Sequence, residues 1–234
     1  MSNDEDDGPL GYLFDELYRA RRARSQNQRN SIEADVLRVL EKNKDKPIEM
    51  KDKDELERYG YAQQPIHTAA ELGFAKVVQK LIDRGANINT TISMAGQTPV
   101  YSALQQGKIY TLKVLIENGA KTKGLDVYEY DLKRDVPALV SVLLCCPEYS
   151  KTTIAYYLQH IDHKEVEESS KILEGYYNKI LKENHDELSS SKAINPYLYG
   201  KIMAAEQAVK AIDLILKKKS LPKKGGRRTR KNRH

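Results

Sequence analysis

The chain of 234 residues has no tryptophan, two phenylalanines and two cysteines. The cysteines, Cys145 and Cys146, are neighbours. They cannot supply a framework of disulfides, which fits a reducing compartment. No C-x-x-C accompanies them, so a structural zinc site lacks support, and two small apolar residues closing a buried helix are expected instead. No stretch approaches the roughly 20 apolar residues that cross a bilayer. Asp4, Glu5, Asp6 and Asp7 make the start acidic. A secretory signal opens with positive charge and an apolar run, so secretion is not expected and the cytoplasm or nucleus is. Nucleophile elbow, phosphate-binding glycine loop and H-E-x-x-H are all missing, so nothing points to catalysis or to a cofactor.

What is present is an ordinary helical composition, 40% apolar and 31% charged, with 15 tyrosines and a net charge of +6. Abundant Lys, Asn and Ile would suit an AT-rich genome. The charge is unevenly placed. Ten Lys or Arg and no acid lie between Lys217 and Arg233, leaving 29 basic against 33 acidic residues elsewhere. A mildly acidic body therefore carries a concentrated cationic end.

An internal repeat is the strongest signal. Pro65-Ile66-His67-Thr68-Ala69-Ala70-Glu71-Leu72-Gly73 returns as Pro99-Val100-Tyr101-Ser102-Ala103-Leu104-Gln105-Gln106-Gly107. Pro65 to Pro99, Gly73 to Gly107 and Gly85 to Gly119 share one spacing of 34. Each proline suits a first helical turn, where its missing N–H costs nothing. Each glycine suits a left-handed stop. Between Gly73 and Gly85, Val77, Val78, Leu81 and Ile82 fall on one helical face. The unit reads as helix, turn, helix, loop, and only stacked copies bury such faces.

These units resemble ankyrin repeats. Gly96-Gln97-Thr98-Pro99 matches the family's opening and Gly85-Ala86-Asn87-Ile88-Asn89 its close, over residues 59–123. Gln64 stands where the family has Thr, and Tyr101 where it has His. The Thr–His hydrogen bond of the family is thus incomplete in both units, and His67 is expected to be a structural imidazole in the turn. The period of 34 places one extra residue near Thr91 and Ile92.

Two repeats are too few to stand alone, so the flanks should supply caps. The fold class expected is all-α, a short ankyrin-type α-solenoid with atypical helical caps and a disordered basic tail. Residues 1–58 form an N-terminal cap, with helices over 10–24 and, capped by Ser31, over 32–42. A further short helix is possible over Lys53 to Arg58. Residues 124–163 form a degenerate repeat, with helices over 135–144 and 152–161. Residues 164–219 form a helical extension, with helices over 166–183 and 196–218, and 220–234 the tail.

The resemblance implies protein binding through hairpin tips and the first helix of each pair. Carried over by position, the contact residues are Tyr61, Gln63, Glu71 and Leu72 in the first unit, and Met94, Ala95, Gln97, Gln105 and Gln106 in the second. Tyr61, Leu72 and Met94 would supply apolar anchors, against the plainer reading that Leu72 or Met94 packs on a neighbouring repeat. His160 and His163, with Asp162 and Glu165, have spacing for a metal but sit where a helix should end, which histidines favour without any metal. Lys217, Lys218, Lys219, Lys223, Lys224, Arg227, Arg228, Arg230, Lys231 and Arg233 are candidates for nuclear import or for phosphate contact with nucleic acid or an anionic surface. No aromatic residue lies among them for base stacking. Gly225-Gly226-Arg227-Arg228-Thr229-Arg230-Lys231 resembles endings found on proteins of giant nucleocytoplasmic DNA viruses.

Overall fold

The computed structural model describes residues 11–45, 64–92, 96–145, 151–189 and 195–220. The chain opens with α1 (Gly11–Arg22) and α2 (Gln26–Lys42). Ser25, not Ser31, caps α2. Its Oγ accepts from the Gln28 N–H, and the Gln28 side chain accepts from the Ser25 N–H, at 3.2 and 3.3 Å. That reciprocal pair satisfies two N–H groups that the first turn leaves over, so the helix starts six residues earlier than Ser31 would place it. Leu13, Leu17, Ile32, Val36 and Leu40 are buried along the seam of the two helices. The expected helix over Lys53 to Arg58 lies outside the described residues.

The central units form as their punctuation implies. They are α3 (Pro65–Leu72) with α4 (Ala75–Asp83), and α5 (Pro99–Gln105) with α6 (Ile109–Glu117). Thr98 caps α5 by accepting from the Tyr101 N–H at 3.2 Å. Gln64, at the same place before α3, makes no side-chain cap. Val77, Val78 and Leu81 are buried, and Ile82 packs on the core's margin. Ile92 and Gln97 pair as an isolated antiparallel bridge at the base of the hairpin between the units. Gly96 is obligatory there: it holds φ +67°, and a Cβ would lie 2.6 Å from the Asp126 carbonyl of the next connection.

The following unit departs from expectation. A helix was expected from Asp135, but Asp135 to Pro137 belongs to a strand. Strand β1 (Asp126–Glu129) pairs antiparallel with β2 (Arg134–Pro137), with Val127 facing Val136 and Asp126 facing Pro137. β-branched Val127 and Val136 fit a pleated surface and are both buried. Pro137 carries no N–H for a ladder and ends the strand. Helix α7 (Ala138–Cys145) then begins, and α8 (Lys151–Tyr157) follows. Ile154, Tyr157, Leu158 and Ile161 are buried as their spacing implies. Helices α9 (His163–Glu183), α10 (His185–Ser189) and α11 (Pro196–Ser220) complete the described chain.

Two rows result. α1, α3, α5 and α7 pack in sequence along one row, and α2, α4, α6 and α8 along the other. One core runs from Leu13 through Ile66, Leu104 and Leu139 to Ile212. α9 and α11 pack on each other and on α7, which closes the C-terminal end of the stack. Ala205, Ala208 and Ile212 form the fully buried stripe of α11.

Candidate protein-binding site

The ends of the inner helices bring equivalent positions of successive units into line: Arg21 on α1, Glu71 on α3, Gln105 on α5 and Cys145 on α7. Glu71 accepts from the Arg21 guanidinium. Gln105 donates to Cys145 Sγ at 3.8 Å. The row is polar and partly exposed, and it is carried on helices whose opposite faces are fixed in the core. Such a surface can offer hydrogen bonds with little loss of backbone freedom on binding.

The sequence-derived residues fare unequally. Glu71 and Gln105 stand in the row, half-buried, and Gln106 is exposed beside them. Gln97 is half-buried at the hairpin base. Leu72 is half-buried and packs against the core, so it serves the stack rather than standing out as an anchor. Tyr61, Gln63, Met94 and Ala95 lie outside the described residues. Lys217 is exposed near the end of α11, and the backbone of Lys218 and Lys219 continues that helix. Residues 221–234, with the other seven cations, lie outside the described residues.

His67 is wholly buried, and its Nε2 donates to the Thr90 carbonyl at 3.1 Å. Burial pushes its pKa down to about 4, with the Thr90 carbonyl opposing the shift. The ring is therefore a neutral strut between helix and loop. Tyr101, in the matching place, reaches the next unit instead: its hydroxyl and Ser141 Oγ are 2.9 Å apart. Further cross-unit ties were not legible in the sequence. Asn89 Oδ1 accepts from the Lys121 N–H at 2.7 Å. Asn118 donates to Gln79 at 2.9 Å. Arg84 donates to the Leu40 and Asn43 carbonyls at 3.2 and 2.8 Å. The Gly85-Ala86-Asn87-Ile88-Asn89 close of the first unit was the available signal for Asn89; nothing marked the others.

The histidine pair resolves into separate roles. His160 donates through Nδ1 to the Tyr156 carbonyl at 2.9 Å, after α8 has ended. His163 lies in the first turn of α9, at a helix N-terminus and not at the expected C-terminal end, with Glu167 at 3.2 Å. Asp162 is the N-cap of α9 and pairs with Lys123 at 2.8 Å. Among the described residues no group of three or more His, Cys, Asp or Glu is placed to hold a metal. Cys145 is exposed, contrary to the expected buried helix end, because α7 turns its last residue toward Gln105 and away from the core. Cys146 lies outside the described residues. No described helix is long and apolar enough to cross a membrane.

Residues 30–126 match the family model for ankyrin repeats, in three copies. The matched span runs from within α2 to the start of β1, so it reaches upstream of the two units with clear motifs. With the helix rows above, the fold is all-α: a short ankyrin-type α-solenoid with one small two-stranded sheet among its described residues. Alpha-latrotoxin-Lh1a of Latrodectus hasselti and alpha-latrotoxin-Lt1a of Latrodectus tredecimguttatus are each 40% identical to this chain over 62 residues. The similarity covers 26% of this chain and only 4% of either toxin. Ankyrin repeats generally mediate protein–protein interaction.

Proposed function

We propose that this chain is a non-catalytic adaptor that grips another protein along the inner-helix row. The observation that carries the reading is the alignment of Glu71, Gln105 and Gln106 on rigid, core-anchored helices of an ankyrin stack. Gln97 extends the surface toward the hairpins. Glutamines supply adaptable hydrogen bonds, and the stack supplies preorganisation. Tyr61, Gln63, Met94 and Ala95, outside the described residues, are proposed as contacts on the ankyrin resemblance alone. The setting proposed is intracellular, and the Gly225 to Lys231 ending favours a viral source within a host cell.

The test is affinity purification with the full chain and with a Gln97→Ala, Gln105→Ala, Gln106→Ala variant. The adaptor reading expects a protein retained by the first and lost, by at least about tenfold, from the second. Equal retention by both would contradict it. A second reading, a tether to nucleic acid or another polyanion, rests on the ten cations between Lys217 and Arg233. It expects retention that falls steeply with salt and vanishes on deleting 217–234, with the glutamine variant unaffected.

A further inference from the structure

The β1–β2 hairpin turns one face to the core and the other to solvent. Alternation along β1 buries Val127 beside Val136 and leaves Asp126 and Tyr128 exposed, with Tyr130 exposed at the turn that follows. Tyr128 is 37% exposed and Tyr130 76%. Their ring centres lie 5.3 Å apart with planes at 84°, so the two rings make the walls of a corner. The strand register sets Asp135 directly across from Tyr128, where Cβ atoms are about 5 Å apart. Asp135 and Asp126 are both exposed. Among the described residues the ion pairs nearby are Lys123–Asp162 and Lys201–Asp131, and neither uses Asp126 or Asp135. Glu129 and Arg134 oppose each other one step along, on the Val127 side by the same alternation. Lys133, exposed at the turn with φ +52°, offsets one of the two carboxylates, so the outward face stays net negative.

The same hairpin shows what such a set of groups holds. At its tip Asp131 accepts from Lys201 Nζ at 2.6 Å, and that ammonium lies 4.7 Å from the centre of the Tyr197 ring. Ring and carboxylate together hold a cation there. The corner of Tyr128, Tyr130 and Asp135 repeats those parts with a second ring. Among the described residues the cations over rings are Arg21, Lys113 and Lys201, facing Tyr18, Tyr156 and Tyr197, and none faces Tyr128 or Tyr130. We propose that Tyr128, Tyr130 and Asp135 form a docking corner for an arginine side chain on a partner protein. The occupant follows from charge and shape. Two tyrosine rings on a face of net negative charge favour a cation. A guanidinium lies flat on a ring while its fork reaches a carboxylate. An ammonium is a compact, strongly hydrated charge that gains less at an exposed site. This surface is separate from the glutamine row and stands or falls apart from it.

The test follows the ring signals of Tyr128 and Tyr130 and the carboxyl carbon of Asp135 by NMR in the full chain. The probe is an acetylated, amidated pentapeptide of alternating glycine and arginine, with its lysine and citrulline counterparts at equal ionic strength. All three signals are expected to shift and saturate together with the arginine peptide, at a lower concentration than with lysine, and to stay unmoved with neutral citrulline. Tyr130→Leu removes one wall and Asp135→Asn the charge. Each should weaken the response at Tyr128 by about fivefold, with backbone amide signals of the core retained. Tyr130→Phe keeps the ring and should keep the binding. Tyr110→Leu, at an exposed tyrosine of α6, should change nothing. Unmoved signals, saturation by lysine or citrulline at an equal or lower concentration, or unchanged affinity in both Tyr130→Leu and Asp135→Asn would overturn the proposal. Deleting 217–234 should leave the free protein's ring signals in place. If they move, the chain's own cations fill the corner and the partner's arginine is excluded. A corner that binds arginine in a chain that captures no protein through Gln97, Gln105 and Gln106 keeps this proposal and sinks the glutamine row alone.

Discussion

At the scale of single residues, polar side chains act here as struts across the stack. His67 shows the cost of that role. The unfolded chain takes up a proton on it near pH 6.5, but the folded chain only near 4. Between those values the unfolded state binds more protons, so stability increases with pH across the window. The contribution of the neutral ring is complete above about 6.5 and fades as pH falls toward 4. Ring nitrogen shifts of His67 should therefore still report the neutral Nε2–H form at pH 5.5. A midpoint near that of a free imidazole would contradict the strut. Tyr157 behaves similarly. It is fully buried, donates to the Thr122 carbonyl at 2.9 Å, and burial drives its phenol well above the usual range.

At the scale of elements, helix ends decide the architecture, and they were legible only where punctuation repeats. Pro65 and Pro99 with Gly73 and Gly107 placed four helices correctly, because a missing N–H and a left-handed turn leave few alternatives. The start of α2 was misplaced. Ser25 and Ser31 are both acceptable caps in isolation, and only Gln28, three residues after Ser25, discriminates. Replacing Ser25 by Ala should lower unfolding stability by about 1 kcal/mol in urea titrations, whereas Ser31→Ala, inside the helix and exposed, should leave it within about 0.5 kcal/mol. Equal effects would contradict the cap. The β1–β2 hairpin escaped the sequence for a different reason. Asp135-Val136-Pro137 is compatible with a helix start, and its strand form depends on pairing with Val127, nine residues upstream. The tip of that hairpin is then tied to α11. Lys201 donates to Asp131 at 2.6 Å and lies 4.7 Å from the centre of the Tyr197 ring. Tyr176, on α9, is buried beside Asp131, and its phenol is pushed up to about 12. Of the candidate site, the positions of Glu71, Gln105 and Gln106 followed from the repeat register. Arg21 did not, since its helix belongs to a unit without the motif, and its approach to Glu71 exists only after stacking.

At the scale of the whole molecule, each helix pair buries its apolar face on its neighbours, and α9 with α11 covers the face that α7 would otherwise expose. A solenoid of this kind is stabilised by neighbour interfaces and needs a distinct last layer. One side of the stack is thereby left polar and partly open, with the cationic stretch beginning at Lys217 on the covering layer. On the proposed function, another protein sits along the inner-helix row. Hydrogen–deuterium exchange of the full chain, alone and with its captured partner, tests this most directly. Added protection is expected over residues 65–73 and 97–107, with 76–83 and 110–118 on the other row of helices unchanged. Protection confined to that other row, or to residues beyond 217, would contradict it.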